Sequence, residues 1–65
     1  MIDINGVLFD FWYGDSLDDV TKADCSFCPG SIYRGNIWKG SEIIGDYESQ
    51  DSIAIESIFP GIFGN

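Results

Sequence analysis

The dipeptide Asn5-Gly6, which lies between short apolar runs, constrains the fold of this chain more than any other feature. Asn-Gly favours a two-residue type I′ turn, because both residues tolerate the positive φ angles that this turn requires. The sequence therefore predicts a β-hairpin centred on residues 5 and 6. Alternation along its strands assigns Ile2, Ile4, Val7, Phe9 and Phe11 to the core, and Asp3, Leu8, Asp10 and Trp12 to the opposite face.

A short helix is predicted to follow the hairpin. Ser16 is a suitable N-cap, and Asp18 and Asp19 favour the first turn of a helix because its N-terminus is partly positive. Lys22 lies where the C-terminus is expected. These signals predict a helix of about two turns.

Two further segments are predicted from their turn residues. Residues 24–31, DCSFCPGS, predict a loop because Pro29-Gly30 ends a helix and does not fit a central strand. Residues 31–47 have high β propensity and two candidate reversals, at Gly35-Asn36 and at Lys39-Gly40-Ser41. We prefer the second as the main turn.

Residues 51–58, DSIAIESI, alternate in a way that predicts a half-buried strand, with Ile53 and Ile55 opposite Ala54 and Glu56. The tail, residues 59–65, is apolar, and it either folds over an open sheet edge or forms an exposed docking patch. The predicted fold is a single compact domain over residues 1–65. Its class is β-dominated α+β, with a small antiparallel sheet of four to five strands and one short helix.

The start of the chain shows neither the basic segment nor the apolar run of a signal peptide, and no stretch approaches the length of a membrane-spanning helix. The sequence therefore predicts a cytoplasmic protein. We also expect a monomer rather than a dimer.

Cys25 and Cys28 form the one motif with a chemical role to test. A single-chain zinc site needs four ligands, and the sequence has no histidine and no third cysteine. Reduced thiols packed in a loop, a disulfide, and a zinc ion shared between two chains stay open as alternatives. Lack of histidine also removes the commonest general base, so we predict neither an enzyme nor a cofactor.

Charge is the feature that points towards a function. Three basic residues stand against eleven acidic ones, for a net charge of −8. This charge repels nucleic acid and anionic membranes, so either the acid maintains solubility or the partner is a protein with a basic surface. The candidate partner-binding residues are Asp10, Asp15, Asp18 and Asp19 in a first acidic block, Glu42, Asp46, Glu48, Asp51 and Glu56 in a second, and Trp12.

Two details make these blocks candidates for binding. Asp46 and Glu48 are alternate residues, so a strand would hold their charges in a row about 6.6 Å apart. Trp12 is expected on the face that carries Asp3 and Asp10, where an exposed aromatic side chain would suit an interface hot spot. The alternative for Trp12, as for Tyr13, Tyr33 and Trp38, is a place in the core.

In size, charge and its two acidic blocks, the chain resembles the small acidic inhibitors carried by bacteriophages and mobile elements. This class includes anti-CRISPR and anti-restriction proteins that act as DNA mimics. The resemblance implies a non-enzymatic binder that blocks target-DNA access in a nuclease complex of the bacterial host, with a multisubunit CRISPR effector complex as the preferred target. Two alternatives are a toxin-neutralising immunity protein, and a homodimeric interaction module joined through the Cys25/Cys28 loop or the apolar tail.

Overall fold

The computed structural model of the protein describes residues 1–28 and 30–63. These residues form the strands β1 Ile2–Ile4, β2 Val7–Phe11, β3 Lys22–Ala23, β4 Ser26–Cys28, β5 Ile32–Lys39 and β6 Glu42–Ser49; a 3₁₀ turn spans Leu17–Asp19, and helix α1 spans Ser52–Ile58. The strands form an antiparallel sheet in the order β1-β2-β6-β5-β3, and β4 also pairs with β5. The predicted β-dominated α+β fold is confirmed, and two short strands that follow one another along β5 raise the strand number in the described residues to six.

The first hairpin forms as predicted. Asn5 and Gly6 have φ angles of 54° and 84°, and Ile4 pairs with Val7 across the turn. The carboxylate of Asp3 accepts a hydrogen bond of 3.0 Å from the Gly6 N–H. One predicted core residue is an exception: Ile2 is 49% exposed, because β1 is the edge strand of the sheet.

The preferred second reversal is also confirmed. Gly40 has a φ of 64°, and Lys39 pairs with Glu42 across it. The alternative reversal instead runs through the middle of β5. Its Gly35 is needed for a close approach, because a Cβ there would lie 1.7 Å from the backbone oxygen of Asp24.

The strand predicted over residues 51–58 is wrong, because this segment forms helix α1. The Asp51 side chain caps the helix by accepting a 2.8 Å hydrogen bond from the Ile53 N–H. Ile55 is fully buried whereas Ile53 is 77% exposed, so the two do not share a face as they would on a strand. The alternation of two isoleucines was too short a signal to distinguish the helical from the extended period.

Two smaller predictions need correction. The helix predicted at Ser16 is a single 3₁₀ turn, in which Asp19 accepts a 3.0 Å hydrogen bond from the Ser16 N–H, and the backbone is already extended at Val20. The loop predicted over residues 24–31 contains strand β4, because residues 26–28 pair with β5. The predicted loop includes Pro29, and the predicted tail includes Gly64 and Asn65. These three residues lie outside the described residues, as does the side chain of Cys28.

The core lies on one face of the sheet, beneath α1 and the tail. Phe59 and Phe63 of the tail are half-buried, with their rings 5.9 Å from Phe9 and 5.4 Å from Tyr33. The described part of the tail therefore packs on the core rather than forming an exposed patch. The buried apolar residues are Val7, Phe9, Ile37, Ile44, Tyr47 and Ile55. Among the described residues, no helix is both long and apolar enough to cross a membrane.

Candidate functional site

The face of the sheet opposite the core, which we call the outer face, presents two rows of side chains. The first row crosses five strands and the second crosses three. Strand register gives the rows as Asp3, Leu8, Glu48, Arg34 and Ser26, and Asp10, Asp46 and Asn36. A groove of about 470 Å³ follows these rows, and Met1 also lines it. Its volume is within the range of about 300–1,000 Å³ that is usual for ligand sites.

Two carboxylates face each other in this groove. Asp10 on β2 is the direct cross-strand partner of Asp46 on β6, and both are exposed. Side chains in this relation have Cβ atoms about 4.5–5.5 Å apart, and like charges so placed destabilise a sheet. The two acidic blocks thus meet at a pair of residues that are 36 positions apart in the sequence.

The positive side chains of the chain are paired with other groups. Arg34 is 3.0 Å from Glu48, and Lys39 is 3.7 Å from Asp15 and 3.9 Å from Asp19. Lys22 lies 4.4 Å from the centre of the Trp38 ring. Within the described residues, no ion pair reaches Asp10 or Asp46.

The second acidic block does not form one surface. Asp46 and Glu48 lie on the outer face, as their alternation predicted, but Glu48 is paired with Arg34. Glu42 is at the β5–β6 turn, Asp51 caps α1, and Glu56 lies on α1. Of the predicted row, only Asp46 presents an uncompensated charge in the groove.

The first block is divided in the same way. Asp10 lies on the outer face, whereas Asp15 and Asp19 hold Lys39 and Asp19 also closes the cap of the 3₁₀ turn. Asp18 is exposed in that turn. Helix-cap and ion-pair roles therefore account for much of the acid that sequence alone assigned to binding.

Trp12 is 58% exposed and follows the outer-face residue Asp10 by two positions. Its backbone N–H donates a 2.7 Å hydrogen bond to the Ile44 oxygen, which fixes its place beside β6. Tyr13 is fully exposed, so the core alternative does not hold for either residue. Trp38 is half-buried instead, and its indole N–H donates a 2.8 Å hydrogen bond to Asp24.

Sequence reasoning missed Arg34, Asn36 and Met1 as residues of this groove. The hairpin pattern did place Leu8 and Asp10 together, since they alternate on one strand. No local signal indicated that β2 would pair with β6, which is the contact that brings Asp10 to Asp46.

A second polar cluster lies near the two-cysteine motif. The Tyr47 hydroxyl donates a short hydrogen bond to the Asp24 backbone oxygen. Burial, helped by the neighbouring Cys25 thiol and by Asp24, raises the pKa of Tyr47 well above its ordinary value. This cluster holds the link between β3 and β4, at residues 24 and 25, against Gly35. In the described part of the chain, no three potential ligands among His, Cys, Asp and Glu are grouped to hold a metal ion.

Comparison with models of protein families, with curated proteins and with solved structures found no match to this chain. Function therefore has to be inferred from the charge and geometry of the outer face.

Proposed function

We propose that this protein is a non-enzymatic acidic inhibitor, similar to anti-CRISPR DNA mimics, that blocks a basic nucleic-acid-binding surface of a bacterial defence nuclease complex. It would act as a monomer in the cytoplasm of the bacterial host. The observation that carries the proposal is the opposed pair Asp10 and Asp46, which lies on the open face of the sheet with no ion pair among the described residues.

The physical argument begins with the cost of this pair. Two like charges placed directly across a sheet destabilise the free protein. A lysine or arginine brought by a partner removes that repulsion on binding. Part of the binding free energy would then come from relief of strain in the free protein.

The partner's surface is identified by the same chemistry. A nucleic-acid-binding groove is lined by Lys and Arg, and its attraction for negative charge is largely indifferent to sequence. Asp10 and Asp46 are direct cross-strand partners with Cβ atoms about 4.5–5.5 Å apart, and they give the outer face a small negative array. Such an array can compete with phosphates for a basic groove, and long-range attraction speeds its association.

The test is a competition assay with purified CRISPR surveillance complexes and restriction enzymes, each bound to its labelled target DNA. The double variant Asp10→Lys with Asp46→Lys should abolish the DNA release that the wild-type protein causes. Its matched control is Glu42→Lys with Glu56→Lys, which changes net charge equally at two residues that do not line the groove. The control should retain most of the inhibition.

Salt provides an independent readout. Inhibition by the wild-type protein should weaken steeply as ionic strength rises, because exposed charges are screened over about 10 Å at 0.1 M salt. Equal loss in both double variants would mean that net charge alone matters. Wild-type inhibition in both variants would show that the acid serves solubility and that the proposal is wrong.

A further inference from the structure

The groove on the outer face differs from one end to the other. Met1 and Leu8 line it as exposed apolar side chains, and Asp10 and Asp46 line it as carboxylates. Leu8 and Asp10 are alternate residues of β2, so the apolar and acidic positions are about 6.6 Å apart along the strand. This is also the spacing of alternate side chains in any extended peptide.

We infer that the groove binds an extended segment of a basic protein in which an apolar residue and an arginine stand two positions apart. This inference rests on the proposed function, and it names the part of the basic partner that the outer face recognises. The apolar side chain would pack on Met1 and Leu8 while the arginine reaches Asp10 and Asp46.

Charge complementarity selects the cationic residue. Glu48 is already neutralised by Arg34, so the attraction in the groove concentrates at Asp10 and Asp46. The side-chain amide of Asn36 continues the same row and adds a further acceptor. A cation that enters here meets two carboxylates and an amide oxygen side by side.

Arginine suits this arrangement better than lysine. Its guanidinium is planar and carries five N–H donors, so that one group can bridge two carboxylates. A lysine ammonium carries its charge at one point, with three donors. The aliphatic stem of arginine can also lie along the apolar end of the groove, as such stems do on other apolar surfaces.

The apolar end gives direction to the bound segment. Exposed Met1 and Leu8 contribute nothing to the core on the other face of the sheet. Covering them with an apolar side chain would remove apolar surface from water, which favours binding. The apolar and acidic ends of the groove must be occupied at the same time. A segment whose apolar residue and arginine lie on opposite faces should therefore bind poorly.

The probe is the capped tripeptide Leu-Ser-Arg, titrated into the ¹⁵N-labelled protein and followed by amide chemical shifts. Saturable shifts should be largest at Leu8, Asp10 and Asp46, with a dissociation constant of about 1–10 mM for so small a ligand. Replacing arginine by neutral citrulline should weaken binding about tenfold or more, because the charge-assisted hydrogen bonds are lost. Moving leucine next to arginine should also weaken it.

Two protein variants complete the design. Asp46→Asn should weaken binding of the tripeptide about tenfold, whereas Glu56→Gln on α1 should leave it unchanged. Both residues lie outside the buried core, so folded protein is expected, and the spectrum of each variant reports its fold directly. Shifts that spread over the whole surface, or wild-type affinity in Asp46→Asn, would overturn the inference.

The outcomes also separate this inference from the proposed function. If Asp10→Lys with Asp46→Lys abolishes inhibition but Leu-Ser-Arg does not bind the groove, the inhibitor function stands and the arginine segment is wrong. If the tripeptide binds as expected while the protein releases DNA from none of the complexes, the recognition chemistry stands and the defence-nuclease target is wrong.

Discussion

Strand β6 presents two different chemistries at successive residues. Tyr47 is 2% exposed and packs on the inner face, with its ring 6.0 Å from Phe9 and 5.7 Å from Phe59. Asp46 points the other way, is exposed, and lies opposite the carboxylate of Asp10. The inner face packs in the core, and the outer face carries two like charges opposite each other.

The difference indicates that the inner face is the one arranged to stabilise the fold. A 65-residue chain buries only about 60% of its unfolded surface, so each core side chain matters. Selection for stability alone would not oppose two carboxylates on the outer face. Truncation of a buried side chain on the inner face should therefore lower stability, whereas neutralising Asp10 or Asp46 should raise it.

The largest expected effect comes from the inner face. Ile55→Ala should lower the free energy of unfolding by about 2–5 kcal/mol, because it empties a fully buried site beneath the sheet. Ile53→Ala on the same helix should change it by less than about 0.5 kcal/mol, since this side chain is exposed. Urea denaturation followed by circular dichroism measures both.

Equal losses in the two variants would restore the strand prediction, in which Ile53 and Ile55 share a face. The pair thus tests the comparison of faces and the element assignment with the same measurement.

Local signals in the sequence predicted both hairpins correctly. Asn5-Gly6 and Gly40 take the positive φ angles that their turns require, and turn geometry then sets the register of the paired strands. The same alternation placed Leu8 and Asp10 together on the face opposite the core, so part of the candidate site was predictable.

What the sequence did not show depends on contacts between distant segments. The pairing of β2 with β6, which assembles the groove, joins residues about 35–40 positions apart. Two alternating isoleucines in residues 51–58 are typical of a strand. The segment is a helix instead, because Asp51 caps it and Ile55 packs in the core. The acidic residues cluster in the sequence, and this clustering did not indicate that Asp19 and Asp51 cap helical turns or that Asp15 and Glu48 form ion pairs.

The second prediction concerns Tyr47, a residue of the inner face whose hydroxyl donates a hydrogen bond to the backbone oxygen of Asp24. Tyr47→Phe should lower stability at neutral pH by about 1–2 kcal/mol, because the Asp24 oxygen loses its donor while the ring remains. Denaturant midpoints of the two proteins measure the loss.

The pH dependence has a definite sign. Burial raises the pKa of Tyr47 in the folded state above its unfolded value near 10, so folding favours the neutral hydroxyl. That contribution is fully present below pH 10, and it declines as pH rises from there towards the higher folded pKa. Wild type should therefore lose stability above pH 10 more steeply than Tyr47→Phe, and parallel curves would contradict the assignment.

The smallest expected effect lies on the outer face and has the opposite sign. Asp46→Asn should raise the free energy of unfolding by about 0.2–1 kcal/mol at low salt, because it removes the repulsion with Asp10. Glu48→Gln is the matched control on the same strand, and it should lower stability by at most about 1 kcal/mol, since it removes an exposed ion pair with Arg34.

A double-mutant cycle with Asp10→Asn isolates the pairwise term. If the carboxylates repel as the register indicates, neutralising either one should give most of the gain, and the second should add little. The gain should also shrink at 1 M salt, where charges are screened over about 3 Å. Additive effects that persist in high salt would mean that the two side chains do not interact, and the cost we assign to the free outer face would then be absent.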